Sequence, residues 1–317
     1  MSNKLRLTRA YRAPTAPPAP LPAAQRSARL IAVAASLIAQ VATPGAAFGA
    51  LVESVTQVAV SIHTLDGRTV TQSVALAMVR EESAAPHPFL IIEHGRPTDA
   101  AGRAAMGLQS YPANARYFAA LGFVVLIPTR IGYGISRGPD VEYTGECAFK
   151  HYDGGIGAAM QETRQVAAYA ASLPFVDGTR GLIVGESFGG LLAIAAAAGE
   201  VPGVVGAVNI SGGDGGDSVN HVDQPCRADQ LEQMFARFGQ RNKVPTLWIY
   251  SENDRLWGPK YPRQWYGAYV AQGGNGVFTE LGPDKNNGHY IFNRNAPAWH
   301  PPFERFLQQL PLSIPAR

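Results

Sequence analysis

Apolar positions along this chain follow two rhythms that alternate from one end to the other. Residues 55–62 and 69–79 alternate or run apolar on either side of Asp66-Gly67, which predicts a β-hairpin with Asp-Gly at its turn. Residues 88–93 are a short apolar run that ends in His94-Gly95-Arg96-Pro97, and they predict a buried strand. Residues 98–112 are polar and Gly-rich, as in a surface loop. A helix is predicted over 113–121, stopped by Gly122, and a strand over 123–128. A loop over 129–138 and an irregular stretch over 139–155 lead into an amphipathic helix over 156–173. Strands follow at 182–184, 204–210, 245–250 and 276–281, and helices at 188–198, 228–238, 262–271 and 302–310. Strands alternating with helical stretches of this length predict an α/β fold with a mostly parallel, doubly wound sheet of about eight strands. The long segment 211–243 after the sixth strand reads as a lid-like insertion over the site. No internal repeat and no second domain are visible.

The densest chemistry lies at the junction of strand 182–184 and helix 188–198. Gly185-Glu186-Ser187-Phe188-Gly189 fits G-x-S-x-G, a serine on a tight strand-to-helix turn. Side chains two positions either side of the serine would collide with strand and helix, and glycine avoids this. The hydroxyl is left exposed beside a helix N-terminus, which favours developing negative charge. A chance match is the bland reading, but chance rarely places the motif between an apolar strand and an Ala-rich helix.

Such a serine needs a base, an orienting acid and an oxyanion hole. Acid and base are expected later in the chain, on loops at strand ends. Asp254, just past strand 245–250, is the candidate acid, with Glu252 and Asp214 as alternatives. His289 in Asn287-Gly288-His289-Tyr290, past the last strand, is the candidate base, with His300 in reserve. The oxyanion donors are the amides of Phe188 and Arg96, and His94 braces the latter's loop. Arg130, Tyr133 and Tyr143, with Arg137 close by, sit on loops expected near the mouth. There they would contact a polar or carboxylated substrate, or serve as structural loop residues. Trp257 beside the acid loop would wall the pocket or pack beneath it. Asp214 and Asp217 among glycines predict a turn, with too few oxygen ligands for calcium.

Taken together, His94-Gly95-Arg96, Gly132-Tyr133-Gly134-Ile135-Ser136, the segment Val184–Gly190, Asp254 and Gly288-His289 resemble the α/β-hydrolase superfamily. Within it the chain is similar to the dienelactone-hydrolase-like and prolyl-oligopeptidase-like branch. Leu173-Pro174-Phe175-Val176-Asp177, before the nucleophile strand, is similar to an approach seen in that branch. The resemblance covers roughly residues 55–310 and departs at two points. Dienelactone hydrolases proper use cysteine where this chain has Ser187, so their substrate is not carried over. No propeller precedes the catalytic region. The resemblance implies two-step acyl transfer on a small-molecule ester or a short peptide, without metal or organic cofactor. A carboxylic ester hydrolase is the leading expectation, a peptidase or amidase with the same triad the second, and a non-catalytic exported binding protein the third.

Composition changes the picture at the N-terminus. Of 317 residues the first 29 carry six Arg or Lys and no acid, and 30–42 are apolar and uncharged. Small residues follow, so 1–49 reads as a secretory signal and 50–317 as one catalytic domain, secreted or periplasmic. The apolar stretch is too short to span a bilayer comfortably, and no stable membrane insertion is expected after its removal. Of 27 basic residues six lie in that signal, leaving 21 against 24 acidic ones, which gives no case for a nucleic-acid partner. Two cysteines, Cys147 and Cys226, in an exported chain predict one disulfide, with two buried thiols as the alternative.

Overall fold

The hairpin forms as the alternation predicts. In the computed structural model, which describes residues 49–199 and 201–312, β1 (Leu51–His63) and β2 (Thr69–Glu81) pair antiparallel from Leu51↔Glu81 to His63↔Thr69. Gly67 takes φ 81°, open to glycine, and donates to Thr64 O at 2.9 Å to close the turn. Both strands outrun the apolar pattern, because the first half of β1 is largely exposed and is held by backbone pairing rather than burial. The signal expected over 1–49 lies, Gly49 apart, outside the described residues.

β3 (His87–Glu93), β4 (Val124–Thr129), β5 (Val176–Glu186), β6 (Val204–Ile210), β7 (Thr246–Ser251) and β8 (Gly276–Leu281) complete one eight-stranded sheet. Its order is β1-β2-β4-β3-β5-β6-β7-β8. The β1–β2 and β2–β4 pairs are antiparallel, and all other pairs are parallel. Because β3 sits between β4 and β5, Glu93 pairs with Gly185. The loop after β3 and the turn after β5 therefore emerge side by side.

Period-two alternation sends neighbouring residues of the central strands to opposite layers. Ile91, Leu126 and Ile183 face one core, together with α3 (Tyr152–Ala171), α4 (Phe188–Ala198) and α5 (Ala228–Arg241). The aromatic residues Trp265 and Tyr269 of α6 (Lys260–Ala271) join the same core. Leu90, Ile92, Val125 and Val184 face the other, against α2 (Pro112–Ala120) and α8 (Ala296–Leu307). Every residue of α4 is buried, so its Ala-rich composition reflects close packing on all sides. Leu191 and Ile194 there contribute about 1.5–3 kcal/mol each by burial.

Several elements differ from the sequence reading, with α3 starting at Tyr152 inside the stretch expected as irregular and β5 at Val176, ahead of the predicted 182. The segment 98–112, expected as loop, contains α1 (Ala100–Ala105), capped by Asp99 accepting from Gly102 N at 2.7 Å. A one-turn α7 (Ile291–Arg294) precedes α8. α8 begins upstream of the predicted start at 302 and carries Pro301 and Pro302 inside it. Packing accounts for the extension: Trp299 is fully buried among Phe118, Phe292 and Phe303 and donates to Phe292 O at 3.1 Å. Among the described residues, no helix is long and apolar enough to cross a membrane.

Candidate active site

Strand β5 runs straight into α4 through a single residue. Ser187 has φ 58° and ψ −122°, a conformation that L-residues rarely hold and that costs about 1–3 kcal/mol. The surrounding backbone enforces it. Ser187 N donates to Ile210 O at 3.0 Å, and Gly213 N donates to Ser187 O at 3.1 Å. A Cβ on Gly185 would overlap the Gly189 carbonyl, and one on Gly189 would overlap the Glu93 carbonyl, so neither position admits a side chain. Gly95 of the neighbouring loop lies so close that a Cβ there would stand 3.2 Å from Ser187 Cβ.

His289 occupies a short 3-10 turn, Gly288–Tyr290, and Asp254 the loop after β7. His289 Nδ1 is 2.9 Å from Asp254 Oδ2. A carboxylate only accepts, so the proton sits on Nδ1 and Nε2 is the basic nitrogen. Asp254 is fully buried, and its Oδ1 accepts from Leu256 N at 2.8 Å and from Trp257 N at 3.3 Å. The two loops are stitched together. Asn287 Oδ1 accepts from Arg255 N at 3.0 Å and from His289 N at 3.1 Å, and Gly288 N donates to Asn253 O at 3.2 Å. Burial alone would lower the pKa of His289, but the charge and hydrogen bond of Asp254, helped by Glu186, raise it above the ordinary value.

The loop after β3 rests on a buried ionic network. His94 is fully buried, and its Nε2 accepts from Arg130 N at 3.1 Å. The proton is thus on Nδ1, which meets Gly95 O at 2.7 Å. Burial, reinforced by the charge of Arg130, holds the pKa of His94 well below the usual value, so the ring stays neutral. The Arg96 side chain grips Asp140 with two nitrogens, at 2.8 and 2.7 Å, and donates to Tyr133 Oη at 2.8 Å. Its backbone amide follows the pinned Gly95 carbonyl, while the Phe188 amide belongs to the first turn of α4, whose N–H groups have no intrahelical acceptor.

Arg130 and Tyr133, read from sequence as residues near the mouth, are instead beneath this loop. Both are fully buried. Arg130 pairs with Glu93 at 3.1 Å and Glu142 at 2.6 Å and donates to His94 O at 2.9 Å, while Tyr133 donates to Glu142. Glu162, whose carboxyl is pushed up to about 8 by burial, accepts from Ile131 N at 3.2 Å and completes the cluster. A buried guanidinium demands paired carboxylates, and these come from segments far apart in sequence.

Ser187 and His289 open on one cavity of about 490 Å³, lined also by Arg96, Tyr111, Glu186, Leu256 and Asn293. Tyr143 is exposed and lies on a different depression, with Leu65 and Val70. Trp257 is buried behind the imidazole, edge-on to His289 at 5.5 Å, and donates to Ser211 O at 2.8 Å. It backs the ring and does not line the cavity. Reserve candidate His300 stacks on Tyr117 at 3.6 Å, on α8. Of the 211–243 segment, Gly216 to Val219 line the cavity, whereas α5 buries Leu231, Met234 and Phe235 in the core. Cys147 and Cys226 form a disulfide that ties this segment to the 139–155 stretch.

Among the cavity residues that escaped the sequence reading, Glu186, Tyr111 and Asn293 form one hydrogen-bonded group. Tyr111 Oη and Asn293 Nδ2 both donate to Glu186 Oε2, at 3.3 and 3.0 Å. Glu186 had a signal, since it occupies the variable position next to the nucleophile in G-x-S-x-G. Tyr111 and Asn293 had none.

No family model matches this sequence, and no curated protein matches it. Solved structures do. An acetyl xylan esterase from Paenibacillus sp. R4 is 18% identical, with a TM-score of 0.54 over 82% of this chain and 89% of that one. An esterase from Pyrococcus furiosus is 14% identical, with a TM-score of 0.53 over 80% and 90%. The acylaminoacyl peptidase of Pyrococcus horikoshii is 14% identical, with a TM-score of 0.55 over 83% of this chain and 43% of its own. At these identities the likeness defines the fold: the chain has the α/β-hydrolase fold, with a sheet and helix arrangement shared by these proteins.

Proposed function

We propose that this protein is an exported serine hydrolase that cleaves carboxylic esters through an acyl-enzyme. The observation that carries the reading is the meeting of three features at one cavity. Two of them, a backbone-strained Ser187 and a His289 whose free nitrogen is Nε2, line the cavity, and the third, a buried Asp254, holds Nδ1–H at 2.9 Å from behind the imidazole. Ser187 Oγ attacks the ester carbonyl while His289 Nε2 takes its proton. Asp254 keeps the tautomer and stabilises the imidazolium. The amides of Phe188 and Arg96 receive the oxyanion. The imidazolium returns its proton to the departing alcohol, and water repeats the sequence to release the acid. The solved structures named above, two of them esterases, support the choice of an ester.

Export is supported by the basic and apolar N-terminal sequence and by the Cys147–Cys226 disulfide, which persists in oxidising compartments. The activity test is hydrolysis of nitrophenyl butanoate by the wild type and by Ser187→Ala, with circular dichroism to check the fold. A folded variant that loses activity by about 10³-fold or more supports the reading. Equal rates in the two would reject it. A matched anilide, run in parallel, separates ester from amide preference.

A further inference from the structure

One buried group of the cavity takes no proton and forms no bond in that mechanism. Glu186 ends β5 directly before the nucleophile, is only 6% exposed, and lines the cavity with Ser187 and His289. Both of its protein donors, Tyr111 Oη and Asn293 Nδ2, converge on Oε2. Oε1 accepts from no described residue, yet it is not sealed away from the cavity as a buried unsatisfied atom would be. A carboxylate oxygen in this position gains most from a ligand that brings an N–H or O–H.

The charge around it points the same way. Glu186, Asp99 and Asp217 are the carboxylates of the cavity wall, and Arg96 and the candidate base His289 are its basic residues. The Arg96 guanidinium is taken up by Asp140, which also receives Arg103 at 2.9 Å. Arg294 lies over the Tyr290 ring at 4.3 Å and is not among the lining residues. Asp217 accepts from Val219 N, Asn220 N and Asn220 Nδ2, at 2.9, 2.9 and 2.8 Å. These bonds hold an ionised carboxylate at the rim. An entering group therefore meets acceptors and negative charge.

We propose that the cavity selects esters carrying a hydrogen-bond donor, a hydroxyl or an ammonium, a few bonds from the scissile carbonyl and within reach of Glu186 Oε1. It discriminates against esters that carry a carboxylate there. The proposal rests on the hydrolase reading above, and Glu186 is its specificity-determining residue.

The test compares kcat/KM for acetate esters of butanol, propanediol, dimethylaminopropanol and hydroxybutanoate, which differ only at the end of a short alcohol chain. The wild type is expected to favour the dimethylammonium and hydroxyl esters over the butyl ester by about tenfold, and to turn over the carboxylate ester about tenfold more slowly. In Glu186→Gln the dimethylammonium-to-butyl ratio falls by about tenfold, and a ratio within one enzyme cancels any general loss of activity. Asp217→Asn, a change at a half-buried rim position that keeps a side-chain oxygen for the backbone donors of its loop, relieves the discrimination against the carboxylate ester by a smaller factor. Turnover of all four esters at similar rates would overturn this proposal alone, as would identical ratios in the wild type and Glu186→Gln. No turnover of any ester, with no fluorophosphonate on Ser187, would overturn the hydrolase reading and this proposal with it.

Discussion

His94 and Gly95 share a hydrogen bond that sets the direction of the next peptide. His94 Nε2 accepts from Arg130 N, so its Nδ1 carries the proton that reaches Gly95 O at 2.7 Å. In a trans peptide the N–H points opposite to the C=O, so pinning the Gly95 carbonyl also aims the Arg96 amide. His94→Ala frees that carbonyl. The expected result is a fall in kcat of roughly 10²-fold with KM little changed, since in the proposed mechanism the amide acts on the oxyanion of the transition state. Steady-state kinetics on a nitrophenyl ester checks it.

In the proposed mechanism Asp254 sets the pH profile through His289. The base must be neutral to accept a proton, and its pKa is raised. Activity is therefore lost on the acid side, rising with pH through a midpoint above the ordinary histidine value. Asp254→Asn removes the charge that raises it. The midpoint should move down, and kcat should fall by about 10³–10⁴-fold because the tautomer is no longer enforced. A kcat/KM profile of both proteins reads the two effects together.

Backbone strain at Ser187 separates two substitutions that both remove the hydroxyl. Ser187→Ala keeps a Cβ at φ 58°. Ser187→Gly relieves about 1–3 kcal/mol of strain and gives back about 0.5–1 kcal/mol in unfolded-chain entropy. The glycine variant should thus be about 1 kcal/mol more stable than the alanine variant in urea unfolding.

Arg130 is predicted by its burial to be a stability residue. Arg130→Ala would leave buried Glu93 without its cation and buried Glu142 with only the longer contact of Arg96 at 3.9 Å. A loss of about 3–5 kcal/mol in unfolding free energy is expected. Removing the exposed Tyr143 side chain should leave stability within about 0.5 kcal/mol of wild type.

Much of the architecture was legible because local pattern and global fold agree. The mostly apolar runs at 88–93, 182–184 and 245–250 lie in strands buried on both faces, and the Asp66-Gly67 hairpin is held by its own turn. Ser187, Asp254 and His289 were visible because each sits next to a strand end, where the sheet topology gathers loops. Arg130 and Tyr133 were misplaced for the opposite reason. Their environment is made by Glu93, Glu142 and Glu162, and no local pattern announces that distant carboxylates will converge on one guanidinium. Tyr111 reaches the cavity from the residue before α2, in the stretch read as loop, and Asn293 from the one-turn α7, which has no periodic signal to read.

Covalent labelling decides whether Ser187 is a nucleophile. The oxidised, folded protein would be treated with a fluorophosphonate, and the modified residue mapped by mass spectrometry. The account expects a single adduct on Ser187, absent in Ser187→Ala and slowed in His289→Ala. A folded protein that stays unlabelled, or carries its adduct elsewhere, would contradict it.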